Sequence, residues 1–144
     1  MAPSTQNGDR TVVVRARALA GYLFTVTEKS PKRFRFTLTA RTQNACLDII
    51  ESLYMANDTW IDVRDAPPAV VRERLRERRD HQHRVLSAAR RLDCLLTLSR
   101  EHGALLAKQQ AFASELLGEV IALTRGWIKS DGKRFPVKEG DGLA

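Results

Sequence analysis

The stretch VVRERLRERRDHQHRVLSAARRLDCLLTLSRE, from Val70 to Glu101, decides the fold. Val71 and Leu75 begin an apolar stripe at helical spacing that Val85, Ala89, Leu92 and Leu96 resume, so the segment is expected to form one long helix. The intervening positions on that face are Arg78 and Gln82, and the run from Glu77 to Arg84 has no apolar residue. Burying Arg78 without a partner is costly. This part of the helix is therefore expected to project past its neighbours or to meet a second molecule, which makes Arg78 and Gln82 candidate protein-interface residues.

The punctuation around this stretch is clear. Pro67 and Pro68 stop the preceding segment and suit the first turn of a new helix, with Asp65 near the capping position, and Gly103 breaks the chain after Glu101. Three further segments carry helical periodicity. Val12, Ala16, Leu19, Leu23 and Val26 form one stripe, which ends before Ser30-Pro31. From about Phe36 to Asp62, Phe36, Ala40, Gln43, Leu47, Ile50 and Tyr54 fall on one line, widened by Cys46, Ile49 and Leu53. That line is expected to be buried. Phe112, Leu116, Val120, Leu123 and Trp127 mark a fourth helix ending near Lys129 and Ser130.

No strand-like alternation of useful length separates them, so the chain reads as all-α, an antiparallel up-down four-helix bundle with a long third helix. At 1.5 Å per residue the third helix spans roughly 52 Å and the fourth roughly 33 Å, so one must overhang, bend or break. Residues 1–10 and 131–144 have loop composition and are expected to be flexible ends around a bundle domain of residues 11–130.

A length of 144 residues suits a single domain. With 43% hydrophobic and 28% charged residues, the chain is too apolar for a disordered tail and too interrupted by charge for a membrane protein. The uncharged stretch Ala18–Thr27 is far short of the ~20 apolar residues of a span, and no signal peptide is evident. Cys46 and Cys94 match no metal or redox spacing, which favours a reduced, cytoplasmic chain. His81 and His83 point about 200° apart on a helix and cannot share a metal ion. Neither a phosphate-cradling glycine loop nor an activated nucleophile is visible, so the chain is expected to be no enzyme and to carry no cofactor.

Charge is the informative feature. Twenty-four basic residues, 18 of them arginine, oppose seventeen acidic ones, a net +7 that favours an anionic partner such as nucleic acid. Most of the excess lies in residues 72–100, with nine basic groups against four acidic ones. Arg72, Arg76, Arg79, His83 and Arg90 fall within a 60° arc away from the apolar stripe. They can form a polyanion-binding line, or a solvated face paired with Glu73, Glu77 and Asp80. Four such phosphate contacts would give a salt slope of about −3.6 on duplex DNA, weak per chain but multiplied by repetition in a ring of subunits. The connection from Lys29 to Phe36 adds Lys32, Arg33 and Arg35 beside Phe34 and Phe36, which can equally be loop anchors. Arg125, Lys129, Lys133 and Arg134 form a second basic set at the end of the fourth helix, where cations also suit the helix dipole. Gly126, unusual inside a helix, suggests close approach of another helix or a large ring, and Trp127 beside it is a core anchor or a subunit contact.

Three pieces, Pro31 to Leu38, Ala88 to Leu98, and Glu119-Val120-Ile121 with Gly126-Trp127-Ile128-Lys129-Ser130, resemble a known family. These are the four-helix bundle proteins that include the accessory variability determinant, Avd, of diversity-generating retroelements, together with products of intervening sequences in large ribosomal RNA genes. The resemblance implies a bacterial or phage-encoded, homopentameric, barrel-like assembly with no active site of its own. Its positive surface would bind template RNA, or DNA, and the element's reverse transcriptase, assisting mutagenic retrohoming through adenine-mutagenic cDNA synthesis. By the match Lys32, Arg33 and Arg35 are candidate RNA contacts, joining Arg72, Arg76, Arg79, Arg90 and Lys129. The alternative is a bundle of the ribosomal intervening-sequence type, an RNA- or protein-binding adaptor unrelated to reverse transcription.

Overall fold

The computed structural model describes residues 3–136, with side chains described over residues 11–136. Its elements are α1 (Pro3–Thr27), a 3-10 turn (Lys32–Phe34), a π-helical turn (Arg35–Thr39), α2 (Ala40–Asp58), α3 (Pro68–Glu101) and α4 (Ala107–Arg134). The described residues contain no strand. No helix among them is long and apolar enough to cross a membrane.

Helix boundaries follow the punctuation. Pro68 supplies a first helical position whose missing N–H is unneeded, and α3 then runs unbroken for 34 residues. At its end Gly103 adopts φ +86°, and the amides of Ala104 and Leu105 donate to the Ser99 carbonyl at 2.7 and 3.0 Å. A Cβ is disfavoured in that left-handed conformation, so the turn selects glycine. α4 opens where Gln109 Oε1 accepts the Leu106 amide at 3.0 Å.

The principal contacts join α1 to α2 and α4, and α3 to α2 and α4. Val12, Ala16, Leu19 and Leu23 of α1 meet Ala45, Cys46, Ile49 and Leu53 of α2, Val85, Ala89, Leu92 and Leu96 of α3, and Ala113, Leu117, Val120 and Trp127 of α4. Each fully buried leucine or valine contributes roughly 1.5–3 kcal/mol by leaving water. Tyr22 and Phe112 pack edge to face at 4.6 Å between α1 and α4. A smaller second core of Ile61, Leu75 and Phe135, with Val71 against it, closes the end where the α2–α3 connection meets the last turn of α4.

Several expectations need correction. On α2 the buried positions are Thr42, Ala45, Cys46, Ile49, Leu53 and Ala56, while Phe36, Leu47 and Tyr54 are 84%, 44% and 45% exposed. Cys46, Ile49 and Leu53 are buried as expected, and the small residues Thr42, Ala45 and Ala56 take the rest of the inward face. On α4, Ala113, Leu117 and Thr124 are buried where Phe112, Leu116 and Leu123 were expected, and Val120 and Trp127 hold their places. α1 begins at Pro3, inside the segment expected to be a flexible end. α4 continues to Arg134 and buries Asp131, so the bundle does not stop at residue 130; residues 137–144 lie outside the described ones. With 34 and 28 residues in α3 and α4, the length mismatch shrinks to under two turns.

The polar part of α3 does not project from the protomer. Arg78 and Gln82 are 2% and 0% exposed, held in the core register that Leu75 and Val85 define. Arg78 finds the partner that the sequence left unassigned: Nη1 donates to Asp131 Oδ1 at 2.9 Å, and Nε and Nη2 donate to the Thr59 carbonyl at 3.1 and 3.0 Å. Gln82 Nε2 donates to Asp131 Oδ2 at 3.0 Å. These two residues are thus internal polar pins and not interface residues. A buried guanidinium is tolerable because an ion pair and two carbonyl bonds replace its water.

Candidate nucleic-acid interface

The structure places the two basic helical sets side by side. Arg72, Arg76, Arg79, His83 and Arg90 share one arc of α3, and Arg79 on that arc reaches α4. A Cβ added to Gly132 of α4 would lie 3.7 Å from a terminal nitrogen of Arg79. Arg125 and Lys129 precede Gly132 at helical spacing and so extend the same edge along α4. Arg76, Arg90, Arg125 and Lys129 are exposed, and Arg72 and Arg79 are half-buried. The exposed ones keep their charged ends in water, whereas Nε of Arg79 is shut from solvent.

Acidic groups stand beside this edge, and Arg76 and Arg79 both have partners within the protomer. Arg76 Nη1 sits 3.5 Å from Glu73 Oε2, and Arg74 Nη1 sits 3.6 Å from Glu77 Oε2, both between side chains about half-exposed or more. Surface pairs of that kind contribute ~0–1 kcal/mol. Asp80 falls on the other flank of α3, one turn before Arg84 and Ser87, which line the groove against α2 with Asp48 and Arg91. Arg91 Nη2 and Asp48 Oδ2 pair at 3.2 Å across that groove. Asp93 and Glu101 supply the acid on the α4 side.

Lys32, Arg33 and Arg35 stand apart from this edge, at the corner between α1 and α2. Ser30 Oγ donates to the Ala104 carbonyl at 2.6 Å, which locks the corner against the α3–α4 connection. The Arg33 guanidinium lies 4.5 Å over the Phe34 ring, and half-buried Phe34 anchors it. Phe36 is not an anchor but an exposed ring among the three cations, a surface on which a base can stack. Lys32, Arg33 and Arg35 are exposed.

Of the remaining interface candidates, Trp127 is 6% exposed and belongs to the main core, 5.8 Å from the Arg78 guanidinium carbon. It is therefore a core anchor and not an available contact surface on this protomer. Gly126 is exposed, and an added Cβ would meet nothing within 4 Å. The reason for a glycine there is not found inside the protomer.

Asp131 was missed, and its signal was present: it continues the Val120, Thr124, Trp127 stripe by one more turn. Glu28, Thr39 and Gln43, which line a polar cavity beside Lys32 and Arg35, had no sequence signal of function. Burial pushes the Cys46 thiol up to about 12, and Cys94 is exposed. Among the described residues no group of three or more histidine, cysteine or acidic side chains could hold a metal ion. Compared with protein families, with characterised proteins and with solved structures, the chain finds no match.

Proposed function

We propose that this chain is a non-catalytic accessory protein of a diversity-generating retroelement, acting in the cytoplasm. It binds template RNA and the element's reverse transcriptase and supports mutagenic cDNA synthesis. The observation that carries the reading is the shared cationic edge of α3 and α4, where Arg72, Arg76, Arg79 and Arg90 stand beside Arg125 and Lys129. The Avd-like segments around Pro31–Leu38, Ala88–Leu98 and Gly126–Ser130 supply the specific partner class.

In this proposal the helices form an antiparallel up-down bundle. The pairings Tyr22 with Phe112 and Arg15 with Glu119, which run in opposite directions along α1 and α4, and Ser30 with Ala104 just beyond their ends support that arrangement. Five protomers then make a barrel-like homopentamer, with exposed Gly126 at the subunit contact. Repetition of one edge around a ring raises a modest affinity into useful avidity.

The test compares the parent with Arg72→Glu, Arg76→Glu, Arg90→Glu and Lys129→Glu combined, in filter binding to single-stranded RNA and in co-purification with the reverse transcriptase. Loss of RNA binding with unchanged helical circular dichroism supports the reading. Equal affinity removes the edge as the site. RNA binding without any association with the polymerase transfers the chain to the ribosomal intervening-sequence type of adaptor.

A further inference from the structure

We propose that the polar cavity at the α1–α2 corner takes one ribonucleotide unit, its phosphate between Lys32 and Arg35 and a ribose hydroxyl on Glu28. This inference rests on the RNA-binding reading above and names the subsite at which RNA is told from DNA.

The cavity encloses about 380 Å³ between the end of α1 and the start of α2, within the ~300–1,000 Å³ of small-molecule sites. Glu28, Ser30, Lys32, Arg35, Thr39 and Gln43 line it. Local backbone geometry builds the wall. The chain leaves α1 at Thr27, turns through Pro31, and enters α2 by the π-helical turn Arg35–Thr39. Residues four apart, Arg35, Thr39 and Gln43, thereby come to one side. Such π-turns recur at functional sites.

The charges around this space are poised and unused. Lys32, Arg35 and Glu28 make no ion pair with one another or with any other described residue. Two cations and one carboxylate around a polar cavity match a ligand that carries an anion at one end and hydroxyl donors at the other. A phosphate attached to a ribose has that pattern. Lysine serves phosphate as a point charge and arginine as a fork.

The interior agrees. Thr39 lines the cavity, and its Oγ1, shut from solvent, has no hydrogen-bond partner. Thr27 donates its proton to the Leu23 carbonyl at 2.6 Å and must therefore accept from Gln43 Nε2, at 3.1 Å. That fixes the amide and leaves Gln43 Oε1 as a second acceptor, in the cavity that Glu28 also lines, for the 2′-hydroxyl of a ribose. A deoxyribose within a chain offers these acceptors no hydroxyl. Loss of a hydrogen bond to a carboxylate weakens binding about tenfold or more.

The test uses the full chain with a labelled single-stranded RNA and the DNA of the same sequence, in fluorescence anisotropy. AMP and dAMP are titrated separately while the backbone amides are followed by NMR. The expected result is about a tenfold preference for RNA. Glu28→Gln should abolish the preference while leaving DNA affinity intact, and Lys32→Gln with Arg35→Gln should weaken both strands. Saturating shifts of residues 28–43 with AMP, smaller with dAMP, show that a free nucleotide also enters. Shifts with the oligonucleotide alone show that the unit is taken as part of a chain. An RNA preference that survives Glu28→Gln overturns the inference, as does equal binding of RNA and DNA by the parent, which leaves the RNA-binding reading standing. Binding of neither strand by the parent removes both.

Discussion

Arg78 and Asp131 face each other across the α3–α4 interface at 2.9 Å, with side chains 3% and 0% exposed. Rings of Trp127 and Phe135 lie 5.8 and 5.9 Å from the guanidinium carbon, so the pair sits in an apolar sleeve. Breaking such a pair strands one charge. Asp131→Ala is expected to lower unfolding stability by ~3–5 kcal/mol in urea titration, because Arg78 and Gln82 lose their shared acceptor together. A loss below about 1 kcal/mol would mean that water reaches the guanidinium.

Phosphate contacts at the α3–α4 edge are expected to act independently. Replacing Arg90, Arg125 or Lys129 singly by alanine should reduce the slope of log affinity against log salt by about 0.7 each on single-stranded RNA. Arg91→Ala, which opens only the exposed pair with Asp48 in the α2–α3 groove, should leave the slope unchanged. Titrations at several salt concentrations decide the matter, and an equal effect of Arg91→Ala would spread the contact surface over both flanks of α3.

The two thiols should separate by accessibility. Cys94 is expected to label with a maleimide in the folded protein at pH 8, and Cys46 only after unfolding. Stability carries the same asymmetry. Between the ordinary thiol value of 9.0 and about 12 the unfolded chain releases the Cys46 proton while the folded chain keeps it. Folding is favoured fully below pH 9 and loses stability as pH rises, by up to about 1.4 kcal/mol per pH unit from this group. Denaturation curves of Cys46→Ala beside the parent should show a shallower alkaline decline in the variant.

Two glycines with different surroundings should respond in opposite ways. Gly103→Ala places a side chain at φ +86° and is expected to lower stability by ~1–2 kcal/mol in thermal or urea unfolding. Gly126→Ala meets no atom within 4 Å and should stabilise the isolated protomer by ~0.5–1 kcal/mol. If Gly126 lies at a subunit contact, light scattering of that variant should show a smaller assembly. An unchanged mass would move the contact elsewhere.

Helix number, the span of α3 and the α1 stripe were legible because periodicity and proline or glycine punctuation are local signals. The face of α2 was legible in part, since Cys46, Ile49 and Leu53 are buried as expected. A pattern that rewards bulk adds Phe36, Leu47 and Tyr54, whereas the packed face also takes the small residues Thr42, Ala45 and Ala56. Arg78 was misassigned for a related reason: its counter-charge lies 53 residues away, and no local rule pairs the two. The cationic line on α3 was legible as an arc, but its continuation onto Arg125 and Lys129 depends on which helix lies alongside. Glu28, Thr39 and Gln43 converge only through the π-helical turn, which the sequence does not announce.

The small second core has a practical consequence for dissecting the protein. A chain cut after Ser130 would retain the main core of all four helices, yet it would discard Asp131 and Phe135. Ile61 and Leu75 would then lie bare at the tip, beside a guanidinium stripped of its anion. The shortest autonomous fragment must extend past Phe135, and truncations that stop earlier will report the collapse of that tip in place of any property of the removed tail.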